Sequence, residues 1–201
     1  VATGGTVEYS STGAETSYSG KIPKEEEAGT YTVYYMVKGD PNHESTAPGQ
    51  VSVTIKPKEI TPKITLAPGP YVYDGNAREP AVTVEDGSDL IAVSEYSVSY
   101  QNNVNAGTAT VIISDANGGN YIVNGTATFE IEKASPAFTP PEGKTGLQYS
   151  GALQELVKAG VTGDGTVVYS VNGGNYSAAI PTASAVGTYT IDYKIEGDAN
   201  H

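Results

Sequence analysis

The chain holds two histidines, His43 and His201, and each ends the same short run: Gly39-Asp40-Pro41-Asn42-His43 and Gly197-Asp198-Ala199-Asn200-His201. An imidazole can act as a base or a zinc ligand, but a zinc site needs three or four converging His, Cys or carboxylate groups. No cysteine is present, and no second histidine lies near either one to complete such a set. Serines are plentiful, yet no Gly-x-Ser-x-Gly element or phosphate loop accompanies them. The carboxylates offer two clusters. Glu85, Asp86 and Asp89 surround Gly87 and are a candidate for Ca²⁺ through oxygen ligands, though the full spacing of a calcium loop is missing and an ordinary acidic turn is the preferred reading. Glu25-Glu26-Glu27 reads as a solvated loop. No catalytic residue, metal or cofactor is expected, and the chain is not expected to be an enzyme.

The histidine runs belong to a larger pattern that explains them. Ala28-Gly29-Thr30-Tyr31-Thr32-Val33-Tyr34-Tyr35 leads to His43, and Val186-Gly187-Thr188-Tyr189-Thr190-Ile191-Asp192-Tyr193 leads to His201. A looser copy, Ala106-Gly107-Thr108-Ala109-Thr110-Val111-Ile112-Ile113, leads to Gly118-Gly119-Asn120-Tyr121, with Tyr121 at the histidine position. Gly29 and Gly107 lie 78 residues apart, Gly107 and Gly187 80 apart. A period of that length in a β-rich chain predicts an array of small domains. A group that is either His or Tyr after an Asn reads as a turn or packing element.

Each copy alternates with period two, as a strand does when one face meets a core and the other meets water. Tyr31, Val33, Tyr35 and Val37 share one face; Thr32, Tyr34, Met36 and Lys38 share the other. The middle copy is less polar on its outer face and is expected to be more covered. On the outer face of the first copy, Tyr34 and Met36 stand where the last copy has Asp192 and Lys194, so they are the candidate contact patch for a ligand, a neighbouring domain or a second chain.

Composition agrees with an all-β chain. It has 24 Gly, 12 Pro and 15 Tyr with no Trp, and Val, Ile, Thr and Tyr runs stand between the Gly and Pro punctuation. Residues 153–159 are the only helix-compatible stretch, ended by Gly160. The net charge of −12 argues against a nucleic-acid partner, since phosphate binding requires a basic surface. No long apolar run or signal peptide is seen, so no membrane insertion is expected in this segment, which reads as part of a larger exported protein.

Three divisions follow: residues 1–56, a partial repeat without its first strands; 57–133, a complete repeat; and 134–201, a repeat without its last strand. Proline-bearing linkers at 56–62 and 132–136 separate them. The truncated repeats would leave open strand edges, which predicts strand complementation between chains.

With its Tyr73-Asp74-Gly75 and Tyr149-Ser150-Gly151 openings, Gly-Thr-Tyr-Thr strands and Gly-Asp-x-Asn-His turns, the chain resembles the immunoglobulin-like MBG-type tandem repeats of bacterial surface proteins. The resemblance implies elongated tandem immunoglobulin-like β-sandwiches of about 78–80 residues, an extracellular cell-surface location, and a non-catalytic stalk or adhesion role toward a host or cell-surface glycan or protein. The alternative is a carbohydrate-binding accessory region of a secreted or surface enzyme, which the absence of tryptophan weakens.

Overall fold

A computed structural model describes residues 4–201; residues 1–3, the start of the first sequence copy, lie outside the described part. The chain is all-β, with two short 3-10 turns at Glu15–Ser17 and Val93–Glu95 and no α-helix among the described residues. The first copy contributes β1 (Gly5–Ser10), β2 (Gly29–Gly39) and β3 (Gly49–Ile55). The middle copy contributes β4 (Lys58–Glu59), β5 (Lys63–Leu66), β6 (Tyr71–Val72), β7 (Val82–Asp86), β8 (Asp89–Leu90), β9 (Tyr96–Gln101), β10 (Gly107–Asp115), β11 (Tyr121–Ile122) and β12 (Gly125–Glu132). The last copy contributes β13 (Phe138–Thr139), β14 (Glu142–Gly143), β15 (Gln154–Glu155), β16 (Val157–Lys158), β17 (Val161–Thr162), β18 (Gly165–Val171), β19 (Thr182–Ala183) and β20 (Ile191–Gly197).

The residues gather into two compact units. One takes Val1–Thr65, Val82–Ser99 and Ile112–Thr126; the other takes Leu66–Ala81, Tyr100–Val111 and Ala127–His201. The first copy therefore shares a unit with one part of the middle copy, and the last copy shares a unit with the rest of it.

The Gly-Thr strands form as their alternation predicts, but their surroundings differ. β2 is the centre of the sheet β1-β2-β3, antiparallel on both sides, with Val37 opposite Val7 and Tyr31 opposite Val53. The face expected to be core stays open: Val7, Tyr35, Val51 and Val53 are all exposed. The strands of residues 4–56 all lie in this one sheet and supply no second layer over it. β10 lies inside the four-stranded order β6-β12-β10-β9 and buries Ala109, Val111 and Ile113 almost completely. Ile112, on its other face, is half-buried, no more covered than Tyr34 and Met36 on the same face of β2. Full burial of an aliphatic side chain is worth about 1.5–3 kcal/mol, so the middle copy carries most of the hydrophobic stabilisation. Phe129 and Tyr71 meet edge to face there, with ring centroids 5.1 Å apart.

In the last copy the strand is shorter than its sequence motif. β20 begins at Ile191 and pairs only with β18, Ile191 opposite Val171 through Gly197 opposite Gly165. Its counterpart in β2 uses residues 29–35 to hold β3. The last copy has no such partner, and residues 187–190 form no strand. The core here is Val157, Val167 and Tyr169, with Ile180, Ile191 and Ile195 packed against them. Residues 153–159 are not helical. They form β15 and β16, because the Leu156 N–H donates to Pro181 O and the Lys144 N–H donates to Leu156 O, fixing an extended backbone that turns Val157 inward.

Candidate functional site

The Gly-Asp-x-Asn-His runs are built turns. In the last copy, Asp198 Oδ1 accepts from the backbone N–H groups of Asn200 (2.7 Å) and His201 (2.9 Å) and lies 2.9 Å from His201 Nδ1. In the first copy Asp40 Oδ1 accepts from the Asn42 N–H (2.9 Å) and lies 2.7 Å from His43 Nδ1. The preceding glycine is required at both sites: a Cβ on Gly39 or Gly197 would run into the carbonyl of His43 or His201. These bonds hold both carboxyls below the usual carboxylate range. For Asp198 the Asn200 backbone N–H is the larger cause and the His201 ring next; for Asp40 the His43 ring leads and the Asn42 backbone follows. A short polar side chain that satisfies backbone donors two residues on is the usual device for such a turn.

Asn200 of the last turn, and Asn120 at the corresponding position of the middle copy, make a contact that recurs. Within one unit, the Ala28 N–H donates to Asn120 Oδ1 (2.6 Å), and Asn120 Nδ2 donates to Glu27 Oε2. The Asn120 N–H is itself anchored on Glu95 Oε2 (2.6 Å), and its carbonyl accepts from the Lys58 N–H (2.8 Å). Within the other unit, the Ala106 N–H donates to Asn200 Oδ1 (3.0 Å), Asn200 Nδ2 donates to Asn105 Oδ1 (3.3 Å), and the Ala134 N–H donates to Asn200 O (2.9 Å). Ala28 and Ala106 are the residues just before Gly29 and Gly107. The first and middle copies thus each receive, on the amide before the Gly-Thr strand, the asparagine carboxamide of the following copy. The second contact adds an edge-to-face meeting of His201 with Tyr73, ring centroids 5.3 Å apart.

That contact has little to offer a reaction and much to offer a joint. A carboxamide presents one acceptor and two donors with no titratable proton. Each one bridges a backbone N–H and a side-chain oxygen of the neighbouring copy. The linkers are part of the device: β4 pairs in parallel with β11, Lys58 opposite Tyr121 and Glu59 opposite Ile122.

The residues singled out from sequence fall elsewhere. Tyr34 and Met36 are half-buried rather than standing free. Tyr34 lies opposite Ser10 on β1 and Gln50 on β3, and a Cβ on Gly13 would lie 3.1 Å from its ring, so the loop after β1 lies against it. Met36 lies opposite Glu8. Glu85, Asp86 and Asp89 sit on the β7–β8 hairpin, with Asp86 opposite Asp89. Glu85 is 2.6 Å from Lys63 Nζ and Asp86 2.5 Å from Lys58 Nζ. The Asp86 bond raises the Lys58 ammonium above its ordinary value. Among the described residues no three His, Cys, Asp or Glu side chains converge in a way that could hold a metal ion. Sequence reasoning read the His/Tyr position of the turn and passed over the asparagine beside it, although Asn42, Asn120 and Asn200 are the residues that all three copies share there.

No protein-family model, curated protein or solved structure matches this chain. No helix among the described residues is long and apolar enough to cross a membrane.

Proposed function

We propose that the chain is a non-catalytic stalk or adhesion segment of a bacterial cell-surface protein, built from tandem immunoglobulin-like β-sandwich repeats of the MBG type. One observation carries the reading: the asparagine contact is made twice, at corresponding positions of consecutive copies, by residues with no chemical task besides joining. A spacer needs a repeatable joint, and a repeatable joint has to use groups that recur with the repeat. Net charge −12, spread along the chain, suits a solvated extracellular array. The adhesive part of the role would fall to residues that the copies do not share, Tyr34 and Met36 first. Strand complementation between chains, through the unpaired edge of β20, belongs to the same reading.

Pulling the chain from its two ends tests the tandem reading. Separate repeats give separate unfolding events, the middle copy (residues 57–133) releasing about 250–280 Å of extended chain. A single cooperative event for the whole chain would contradict it. Binding to glycans, mucins and matrix proteins tests adhesion: a saturable partner lost in Tyr34→Asp makes the segment an adhesin, and silence makes it a spacer.

A further inference from the structure

Each asparagine contact has two halves: a turn that offers the carboxamide, and a loop amide that receives it. The described chain has three of each, and only two pairs are joined. The first copy's turn, residues 39–43, is already folded like its partnered counterpart. Asp40 caps Asn42 and His43 as Asp198 caps Asn200 and His201, and the Asp40 N–H donates to Gly4 O (3.1 Å) as the Asp198 N–H donates to Asp164 O (3.2 Å). Yet Asn42 is exposed, and its carboxamide has no hydrogen-bond partner among the described residues. The side chain of His43 is 58% exposed where that of His201, set against Tyr73, is 15% exposed.

The last copy has the opposite half free. Val186 precedes Gly187 as Ala28 precedes Gly29 and Ala106 precedes Gly107. Ala28 and Ala106 are half-buried, while Val186 is 86% exposed and its N–H has no partner among the described residues. Tyr149 occupies the Tyr-x-Gly position that Tyr73 holds in the middle copy, and it is 72% exposed. Tyr149, Ala185, Val186, Gly187 and Tyr189 line one cavity of about 160 Å³. The acceptor surface is therefore already assembled, and no described residue bonds to its Val186 amide.

We propose that the 39–43 turn of one chain docks on the Tyr149/Val186 surface of a second copy of the chain, making a third instance of the same contact. The Val186 N–H donates to Asn42 Oδ1, and His43 meets the edge of Tyr149. The chemistry is that of the two joints already formed, so it needs a partner that presents this turn, and this chain presents it. Because both halves are preformed, little ordering is lost on docking. One bond is missing: the residue before Val186 is Ala185, which lacks the side-chain acceptor that Glu27 and Asn105 supply. Docking between chains also lacks the tether that gives the internal joints an effective concentration in the millimolar range. The association is therefore weak. Donor and acceptor halves lie on different copies, so the contact is head-to-tail and grows into open chains or closes into rings, according to the rotation it imposes.

Sedimentation velocity of the whole chain up to about 1 mM, with two single variants and their mixture, tests this. Asn42→Ala removes the donor half and Val186→Pro removes the acceptor N–H; Tyr149→Ser is a second acceptor variant that leaves the backbone untouched. The wild type is expected to form species longer than two chains with rising concentration. Each variant alone is expected to stay monomeric, and Asn42→Ala mixed with either acceptor variant is expected to stop at pairs. A wild type that remains monomeric at the highest concentration overturns the proposal. So does association that survives in Asn42→Ala alone, which would move the contact to the unpaired edge of β20.

Discussion

β2 and β10 share the Gly-Thr alternating motif and carry opposite burial. On β10 the inward residues Ala109, Val111 and Ile113 are essentially removed from water; on β2 the corresponding face leaves Tyr35 exposed, with Val51 and Val53 of β3 exposed beside it. The β2 strand is longer and paired on both edges, so backbone hydrogen bonding is not what separates them. The difference is the layer facing the strand. Alternation in a sequence states which side of a strand wants burial, and burial itself comes from a second set of strands that the first copy lacks here. Of the fully or nearly buried apolar side chains among the described residues, none falls before residue 57.

The largest expected effect separates these two strands. Ile113→Ala, which leaves a cavity in a closed core, should destabilise the chain by about 2–5 kcal/mol in denaturant unfolding. Val53→Ala, at a half-open position, should stay within about 0.5 kcal/mol, as surface substitutions do. Equal losses would mean that the first copy is as closed as the middle one.

Next come the asparagines. Asn120→Ala strips the Ala28 N–H of its acceptor and Glu27 of its donor, a loss of about 1–3 kcal/mol where the amide is shielded from water. Asn42→Ala in dilute monomer should change stability by less than about 0.5 kcal/mol. A matching cost at Asn42 would show that the turn position matters for its own fold and not for a joint.

Acid sharpens the comparison further. The Asp40 and Asp198 carboxyls are depressed in the folded chain, so their contribution is fully present above the unfolded value of about 3.9 and is lost as pH falls through the folded value. The melting temperature should hold from neutrality to about pH 5 and fall below about pH 4. Asp198→Asn should flatten part of that acid limb. An acid limb unchanged in Asp198→Asn would assign it to other carboxyls.

The smallest effect concerns Tyr34. Tyr34→Asp places a charge beside the loop after β1 without opening a closed core, so thermal unfolding should register only a modest loss. A loss as large as that of Ile113→Ala would make Tyr34 a core residue and remove it from the candidate contact patch.

Much of this architecture was legible in residue order. The alternating motifs that follow Gly29 and Gly107 appear as the strands β2 and β10. Two elements were not. Residues 153–159 have helical spacing but are pulled extended by partners at Pro181 and Lys144, which lie far away in sequence. The motif at 187–193 reads as one strand, but its first residues need a closing strand to form a ladder, and they stay irregular. The asparagine contact was hidden for a different reason. An Asn two residues after an Asp, as at Asn200, or after a Gly pair, as at Asn120, is ordinary turn chemistry, and only its partner, more than 90 residues away, distinguishes a joint from a turn.

Amide hydrogen exchange at Ala28, Ala106 and Val186 tests the joint directly, since the three hold the same place before the Gly-Thr motif and an asparagine carboxamide meets only the first two. The Ala28 and Ala106 amides should be protected and the Val186 amide should exchange freely in dilute solution. Asn120→Ala should release Ala28 while leaving Ala106 protected. Exchange at Ala28 and Ala106 as fast as at Val186 would contradict the account, because the copies would then be joined by the covalent linker alone.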